Sequence, residues 1–585
     1  MRKNRKKPEI TSPSELLLLL LLLLADAFIV LLCVEAVRRA SLPLAVDWVF
    51  RYPLFSLMSA GLLFSLLLFA VLLTRRVSLA VCVVNLLAAA LALVSVIKIS
   101  LRNEPVLFTD ISLIREALQI SGGYRFEVDR FTLFMLGIPV LPVLCTLGLR
   151  LPLRRLLPHA AEALAGFGLF CLFCFAGLRG FNRYAYRQMD LVQEDGVIGG
   201  ILATVPQAAA PEGYSEEAVK AALHGAVPQK SDAQKPDIFF IMCESLYDLG
   251  RLPGVTLSAD PLAHFRALQQ EGWGGNLVVG QFGGGTAETE YEVLTGYRAR
   301  DLSGAAYVTP GILKDGMRTI PTLLESLGYS TQFVHPGDGA FYNRRSAMKK
   351  LGFGSAAFLP ELGPAETMIG GRPADSWLFP LLFRRWQAQA GSGPLFTYVT
   401  TFQNHGGYDD GTDVRDIRVD GVPREYANAA ENYVNGVHLT DESLAALCDS
   451  FRNADRPVVL VVFGDHAPSL DCFGISTRDS DRDLFFSYTT PLLIWSNFGF
   501  RPSVPDGADV SCCRLGALLL HDLGFTEDAY YNSLVDAPSL MKQEGCIARG
   551  GVIQDADAWQ AENERLWLLH YDRVFGKGFS LPGEN

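Results

Sequence analysis

Basic residues are scarce in the larger, C-terminal part of this 585-residue chain. Residues 181–585 hold 32 lysines and arginines against 51 aspartates and glutamates, a net charge of −19. Because nucleic-acid binding depends on a basic surface, this balance argues against DNA or RNA as a partner. It does not exclude an anionic substrate, since a metal ion and one arginine can reverse the field locally.

Four further patterns are missing. The chain has no internal repeat and no long low-complexity tract. Its first apolar segment has no small-residue cleavage site and is too long and leucine-rich for a cleaved signal, so we expect an uncleaved anchor. No Cys-x-x-Cys pair occurs after residue 180, which leaves a structural zinc site without support. The six cysteines there could form disulfides in an oxidising compartment, although Cys243 is expected to be a buried free thiol: Cys243, Cys448, Cys472, Cys512, Cys513 and Cys546.

Long hydrophobic runs, by contrast, fill the first third of the chain. Five come close to the roughly 20 residues needed to cross a bilayer: Leu16–Val37, Leu54–Thr74, Val77–Ile97, Phe131–Leu149 and Ala160–Leu178. The basic head MRKNRKK places the N-terminus in the cytoplasm. Five crossings then predict a multi-pass plasma-membrane protein whose remaining chain lies outside the cell.

Two segments are harder to place. Residues 101–130 carry apolar residues among charges, which fits a short helix at the outer membrane interface or a solvated loop equally well. Residues 180–234 form a polar connector in which SEEAVKAALHG predicts one short helix ending at Gly225. We therefore predict a transmembrane domain over 1–179, this connector, and an extracytoplasmic domain over 235–585.

The outer domain alternates short β-branched runs with helical segments. The runs IFFIM, TQFVH, PLFTYVTT, PVVLVVFG and PLLIWS predict strands, and TIPTLLESLG, AENYVNGVHLTDESLAALCDSF and SCCRLGALLLHDLG predict helices. Such alternation is typical of an α/β domain with a mostly parallel sheet between two layers of helices. Site residues of such domains lie at the carboxyl ends of the strands.

Polar residues follow two of these runs directly. Glu244 ends DIFFIMCES, and Asp465 with His466 follows PVVLVVFG. An Asp-His pair after a strand can be an ordinary turn, yet the Ala-Pro that follows exposes both side chains at the strand end. Carboxylate and imidazole are standard ligands of divalent ions, and a buried Glu244 would need a cation or donors to offset its desolvation. We expect these three residues to bind a metal.

Thr286 lies between three glycines and the helical segment AETEYEVLT. A threonine there can be a helix N-cap. The same geometry also suits phosphate chemistry, because glycines let backbone N–H groups approach an anion at a helix N-terminus. A metal or a base could lower the pKa of the hydroxyl, which favours a nucleophilic role.

With these motifs the chain resembles the lipoteichoic acid synthase and phosphoglycerol transferase branch of the alkaline phosphatase/sulfatase superfamily. In that family a metal, usually manganese, is held by residues matching Glu244, Thr286, Asp465 and His466, with magnesium or zinc as alternatives. The resemblance implies that the threonine attacks phosphatidylglycerol, releases diacylglycerol and passes glycerol phosphate to a glycolipid, polymer or glycan of the cell envelope. It also implies that the chain is not a sulfatase, since those enzymes use a modified cysteine or serine at this place.

The same resemblance implies a substrate pocket. HPGDGAFYNR fits a family stretch in which Arg344 matches the phosphate-binding arginine and Tyr342 stands where tryptophan is frequent. Asp338 is the acid of this stretch, one position later than in the family pattern. His405 in QNHGGY matches the active-site histidine, expected to bind phosphate or assist proton transfer.

Two other functions stay open from the sequence. One is a different head-group transferase on the same scaffold, for example for phosphoethanolamine, usually zinc-dependent. The other is a non-catalytic membrane protein that binds a glycan or a partner. Retention of Thr286, Glu244, Asp465 and His466 together argues against the second.

Overall fold

The computed structural model describes most of the chain, with short gaps. Its described residues are 10, 12–102, 105–114, 128–152, 156–181, 188–205, 210–223, 225–229, 234–302, 307, 311–389, 391, 393–409, 415–475, 487–535 and 556–582. The chain divides into two compact units, one made of 1–111 with 126–205 and the other of 112–125 with 206–585.

The first unit is helical. Its helices are Pro13–Arg39, Leu42–Arg51, Pro53–Thr74, Val77–Arg102, Arg130–Gly137, Val140–Cys145, Leu156–Gly180 and Gln188–Ala203, with a 3₁₀ turn at Phe108–Leu113. Among the described residues, four helical segments are long and apolar enough to cross a membrane: Pro13–Arg39, Pro53–Thr74, Val77–Leu101 and Pro158–Gly180. These correspond to four of the five predicted spans.

The fifth predicted span, Phe131–Leu149, differs from expectation. The structure has two short helices there, Arg130–Gly137 and Val140–Cys145, and the apolar helical stretch is too short to count as a span by length. Pro139 and Pro142 explain the break, because each removes an amide donor and a proline ring disrupts the preceding helical turn.

A polar contact lies at this break. Asn85 Nδ2 donates to Asp26 Oδ1 at 3.1 Å and to the Pro139 carbonyl at 3.0 Å, and Asp26 and Asn85 are both buried. The contact links Pro13–Arg39 and Val77–Arg102 to the interrupted segment. A polar side chain between apolar helices is stabilised when it finds such partners.

The second unit contains an eight-stranded sheet. Its strands, numbered with four others in chain order, are β1 Asp237–Cys243, β2 Thr256–Leu257, β3 Trp273–Val278, β4 Ser330–Val334, β5 Ser355–Ala357, β6 Met368–Ile369, β7 Arg372–Pro373, β8 Leu395–Thr400, β9 Val419–Asp420, β10 Val458–Gly464, β11 Thr489–Ser496 and β12 Asp509–Ser511. The order in the large sheet is β12-β3-β11-β10-β1-β8-β4-β5. Pairing is parallel except that β11 runs antiparallel to β10 and β3. The predicted α/β fold with a mostly parallel sheet is confirmed.

Helices cover both faces of this sheet. They are Glu216–Ala222, Ala263–Glu271, Thr286–Thr295, Ile320–Ser326, Arg344–Lys350, Leu359–Leu362, Asp375–Ala388, Ala427–Arg452, Cys512–Asp522, Ala529–Val535 and Ala556–Val574. In β1, Ile238 and Phe240 pack into one apolar core while Phe239 and Ile241 pack into another. A strand buried on both faces has to be apolar throughout, which is why β1 and β10 read as continuous hydrophobic runs.

Two smaller expectations can be checked. The connector helix is present as Glu216–Ala222, begins after the capping Ser215, and is followed by Gly225 at φ 73°. The described cysteines of this unit are free thiols, and Cys243 is buried as expected. Cys546 and most of 115–130 lie outside the described residues, so the interfacial-helix and loop alternatives are not resolved there.

Candidate metal and phosphate site

Strand register brings the predicted metal ligands together. Cys243 at the end of β1 pairs with Gly464 at the end of β10, so the next residues, Glu244 and Asp465, emerge side by side. Ser245 then adopts φ 50°, and its N–H donates to Asp465 Oδ1 at 2.7 Å. Positive φ is uncommon for serine, and here it aims the backbone donor at the carboxylate. Residues separated by 221 positions thus share one edge of the sheet.

The glycine turn before Thr286 determines where its hydroxyl points. Gly283, Gly284 and Gly285 have φ values of 65°, 147° and 93°, which L side chains rarely adopt. Gly285 is the N-cap and Thr286 is the first helical residue, without a side-chain cap hydrogen bond. The N-cap alternative for Thr286 is therefore wrong, and its hydroxyl is available to contact the strand ends.

Four buried side chains converge at this point. Thr286 Oγ1 lies 3.4 Å from Glu244 Oε2 and 3.4 Å from His466 Nε2. His466 Nε2 lies 3.7 Å from Glu244 Oε1 and 3.2 Å from Asp465 Oδ2. One donor atom each from Glu244, Asp465 and His466 lies within 4.8 Å of the others.

The donor set fits a divalent cation. Asp465 Oδ2 is buried and receives no hydrogen bond from the described residues. His466 Nδ1 donates to the Ala467 carbonyl at 2.9 Å, which leaves a lone pair on Nε2 facing the cluster. Burial, and then the charge of Asp465, raises the pKa of Glu244 well above its usual range. A cation here would satisfy the unpaired oxygen and offset the repulsion between the two carboxylates.

Arg344 is fixed beside the cluster by two residues that the sequence did not single out. Its Nε donates to Glu290 Oε2 at 3.1 Å, and its Nη1 donates to His335 Nε2 at 3.1 Å. His335 Nδ1 in turn donates to the Thr400 carbonyl at 2.9 Å. All three members of this chain of contacts are buried, so the guanidinium is held in one orientation.

His405 and Arg372 share a backbone acceptor. His405 Nδ1 donates to the Gly406 carbonyl at 3.3 Å, and Arg372 Nη2 donates to the same oxygen. Desolvation, and then the charge of Arg372, lowers the pKa of His405 to about 3. The imidazole is therefore neutral at physiological pH, with its Nε2 able to accept a hydrogen bond.

The remaining predicted pocket residues are less enclosed. Tyr342 is partly exposed at φ 55°, with its ring centroid 5.7 Å from the Arg344 guanidinium carbon. Asp338 is exposed, and its Oδ1 accepts from the Ala340 N–H at 2.9 Å, which caps the turn before Tyr342. Its role in substrate binding stays a prediction.

Sequence reasoning missed Glu290, Arg372 and Ser245, and it gave no role to His335, the histidine that opens HPGDGAFYNR. Glu290 lies one helical turn after Thr286, so the spacing already placed it on the same helix face. His335 directly follows β4, as Glu244 follows β1. No comparable pattern marked Arg372, because it belongs to the short β6–β7 hairpin rather than to an apolar run.

Comparisons with known proteins agree with this fold. The sulfatase family model matches residues 236–523. The putative cyclic β-1,2-glucan modification protein of Rhizobium meliloti (strain 1021) is 29% identical over 395 residues, which cover 63% of this chain and 60% of that relative. The match thus spans less than two thirds of the relative's own length.

Two solved structures share the fold. The Streptococcus pyogenes phosphoglycerol transferase GacH, in complex with sn-glycerol-1-phosphate, superposes with a TM-score of 0.52 at 21% identity, covering 63% of this chain and 96% of that one. The Neisseria meningitidis lipooligosaccharide phosphoethanolamine transferase A, an integral membrane protein, has a TM-score of 0.50 at 12% identity, covering 90% and 98%. The sulfatase family model matches just under half of the chain, and its match over residues 236–523 agrees with the resemblance seen in the motifs.

Proposed function

We propose that this protein is a metal-dependent membrane phosphoglycerol transferase. It would move glycerol phosphate from phosphatidylglycerol, through a phosphothreonine-type intermediate on Thr286, to a glycan or polymer of the cell envelope. The observation that carries the proposal is the Thr286 hydroxyl, which is not a helix cap and lies 3.4 Å from both Glu244 and His466. A threonine with only a structural role would not need its hydroxyl close to both Glu244 and His466.

The cation fits the residues Glu244, Asp465 and His466, with Thr286 completing the set. When bound, a divalent ion supplies positive charge that lowers the pKa of a hydroxyl and stabilises charge on phosphate oxygens. Oxygen and imidazole donors suit manganese, magnesium or zinc, and we propose manganese.

In the first step, Thr286 Oγ forms a bond to the phosphorus of phosphatidylglycerol. The bond from phosphorus to the diacylglycerol oxygen breaks, and that oxygen leaves with the proton that the threonine gave up. Arg344, held by Glu290 and His335, donates N–H groups to the phosphate oxygens. The fixed guanidinium needs little reorganisation as negative charge develops.

In the second step, a hydroxyl of the acceptor attacks the same phosphorus. The Thr286 Oγ–P bond breaks, and the proton that leaves the acceptor hydroxyl is returned to the threonine by way of His405, which ends the step neutral. His405 Nε2 takes up the proton of the acceptor hydroxyl, since its Nδ1 proton is held by the Gly406 carbonyl. A bound phosphate would raise the pKa of His405 from its depressed value, because the anion stabilises the imidazolium.

The membrane helices favour a lipid donor. Four helices are long and apolar enough to cross a membrane, and they would keep the chain in the bilayer where phosphatidylglycerol resides. The glucan-modification relative supports a glycan acceptor, and we propose that the site faces the cell exterior.

The test uses membranes containing the full chain, incubated with phosphatidylglycerol or phosphatidylethanolamine labelled in the head group. The proposal predicts transfer of label from phosphatidylglycerol to protein and then to glycan or polymer, with no transfer in Thr286→Ala. Transfer from phosphatidylethanolamine alone would instead establish a phosphoethanolamine transferase. Absence of transfer from either lipid would refute the proposal.

A further inference from the structure

Arg372 is presented by a tight hairpin next to the site. Ile369 of β6 pairs with Arg372 of β7, so Gly370 and Gly371 form a two-residue turn. Their φ values are 53° and 76°, both positive, as a type I′ hairpin turn requires. The turn fixes Arg372 as the first residue of the returning strand, so the base of its side chain has a defined position.

The guanidinium of Arg372 is anchored by two carbonyl groups. Its Nη1 donates to Gly370 O at 3.1 Å and its Nη2 to Gly406 O, the oxygen that also accepts from His405 Nδ1. The positive charge therefore lies beside His405, and it contributes to the lowered pKa of His405 and opposes the raised pKa of Glu244. The guanidinium has further N–H groups that no described residue accepts from, and these remain for a ligand.

The two arginines of the site differ in their charge balance. The Arg344 guanidinium forms an ion pair with the buried Glu290 carboxylate at 3.1 Å, so the pair adds no net charge. Within the described part of the chain, Arg372 has no carboxylate within ion-pair distance; both of its partners are neutral carbonyl groups. Arg372 thus contributes one uncompensated positive charge, in a partly enclosed place where a charge acts more strongly than in bulk water.

We propose that Arg372 is a second phosphate-binding residue and that it determines head-group specificity. Its charge favours a phosphate whose head group carries no positive charge, such as glycerol phosphate, over a zwitterion such as phosphoethanolamine. An ammonium two carbons from the phosphate would approach the guanidinium and be repelled, whereas a polyol can accept its N–H groups. This inference rests on the proposed function and names the residue that selects the donor.

Binding of two small probes tests the role without relying on turnover. The full chain in detergent, with manganese present, is titrated calorimetrically with sn-glycerol 1-phosphate and with phosphoethanolamine. Wild type should bind glycerol phosphate at least about tenfold more tightly, and R372Q should weaken that binding about tenfold and largely remove the preference. R372K keeps the charge and should keep most of the preference. Arg501→Gln, at an exposed arginine paired with Asp506, is the matched control and should bind as wild type does.

Thermal unfolding and metal content identify variants that have lost their structure. If R372Q does not fold, the proposal can still be overturned by equal binding of both probes to wild type or by loss of the preference in R372K. Equal binding of both probes by wild type, or an unchanged preference in folded R372Q, would overturn the role of Arg372. A preference for glycerol phosphate that depends on Arg372, in a protein that transfers nothing from phosphatidylglycerol, would support this residue's role and refute the proposed function instead.

Discussion

Replacing Glu244 with glutamine should change stability in opposite directions with and without metal. In the metal-free protein, ligand atoms of Glu244 and Asp465 lie within 4.8 Å of each other in a buried site. Two negative charges at that separation repel by about 3 kcal/mol at an effective dielectric constant of about 20. At pH 8, Glu244→Gln should therefore raise the free energy of unfolding of the metal-free protein by up to about 3 kcal/mol.

With metal bound, wild type should be more stable than Glu244→Gln, the reverse of the order in the metal-free protein. A cation present at 100 times its dissociation constant stabilises the folded state by about 2.7 kcal/mol. For a unit of this size that corresponds to a rise in Tm of about 3 °C. Glu244→Gln removes one ligand, so it should show little or no rise.

The assay is thermal unfolding of the full chain in detergent, with a chelator or with manganese, together with measured metal content. Glu442→Gln is the control, because Glu442 is half exposed, lies outside the metal site, and has a loose contact of 3.8 Å with the partly buried His438. An equal rise in Tm and full metal occupancy in Glu244→Gln would show that Glu244 is not a ligand. Destabilisation of the metal-free variant would show that the two carboxylates do not repel each other as described.

Three further predictions follow from the structure. Burial raises the pKa of Asp375 to about 7 from 3.8, so the folded state holds this proton more tightly than the unfolded state. The free energy of unfolding should therefore fall by about 4 kcal/mol between pH 4 and 7. Denaturant unfolding of Asp375→Asn over the same pH range should lack this loss. Glu290→Gln should cost about 3 kcal/mol by denaturant unfolding, since it leaves the buried Arg344 guanidinium without its carboxylate partner; an unchanged midpoint would contradict this. If the two short helices between 130 and 145 together form a fifth crossing, a reporter active only outside the cell should be active after Asn585 and inactive at Arg76; inactivity at both places would put the catalytic unit in the cytoplasm.

Sequence patterns predicted the fold where a single physical requirement dominates. Strands buried on both faces are mostly apolar, and β1 and β10 are recognisable for that reason. A single continuous helix over Phe131–Leu149 was wrongly predicted because hydropathy outweighed Pro139 and Pro142, whose effect on helical hydrogen bonds was readable in the sequence. Strand β3 contains two glycines and the edge strand β12 has three residues, and no strong pattern marked either of them.

The site could be predicted from the sequence where its residues come directly after an apolar strand. Glu244, Asp465 and His466 come together because β1 and β10 are neighbours in register, which the two apolar runs alone did not specify. The role of Thr286 could not be separated from capping until the backbone of Gly285 was known. Arg372 lies on a hairpin whose position relative to His405 is determined by tertiary packing. Spacing along the sequence does not reveal that position.

Covalent catalysis by Thr286 is the central claim, and intact-mass analysis tests it most directly. The full chain with manganese is exposed briefly to phosphatidylglycerol, quenched in acid, and its mass compared with that of Thr286→Ala treated in the same way. Thr286 is not the N-cap, and its hydroxyl makes only two long contacts of 3.4 Å, to Glu244 and His466, so the alanine variant should keep a Tm close to that of wild type. The account predicts a glycerol phosphate adduct on wild type that maps to Thr286 and is absent from the variant. An adduct that persists in Thr286→Ala, or that maps to another residue, would contradict it.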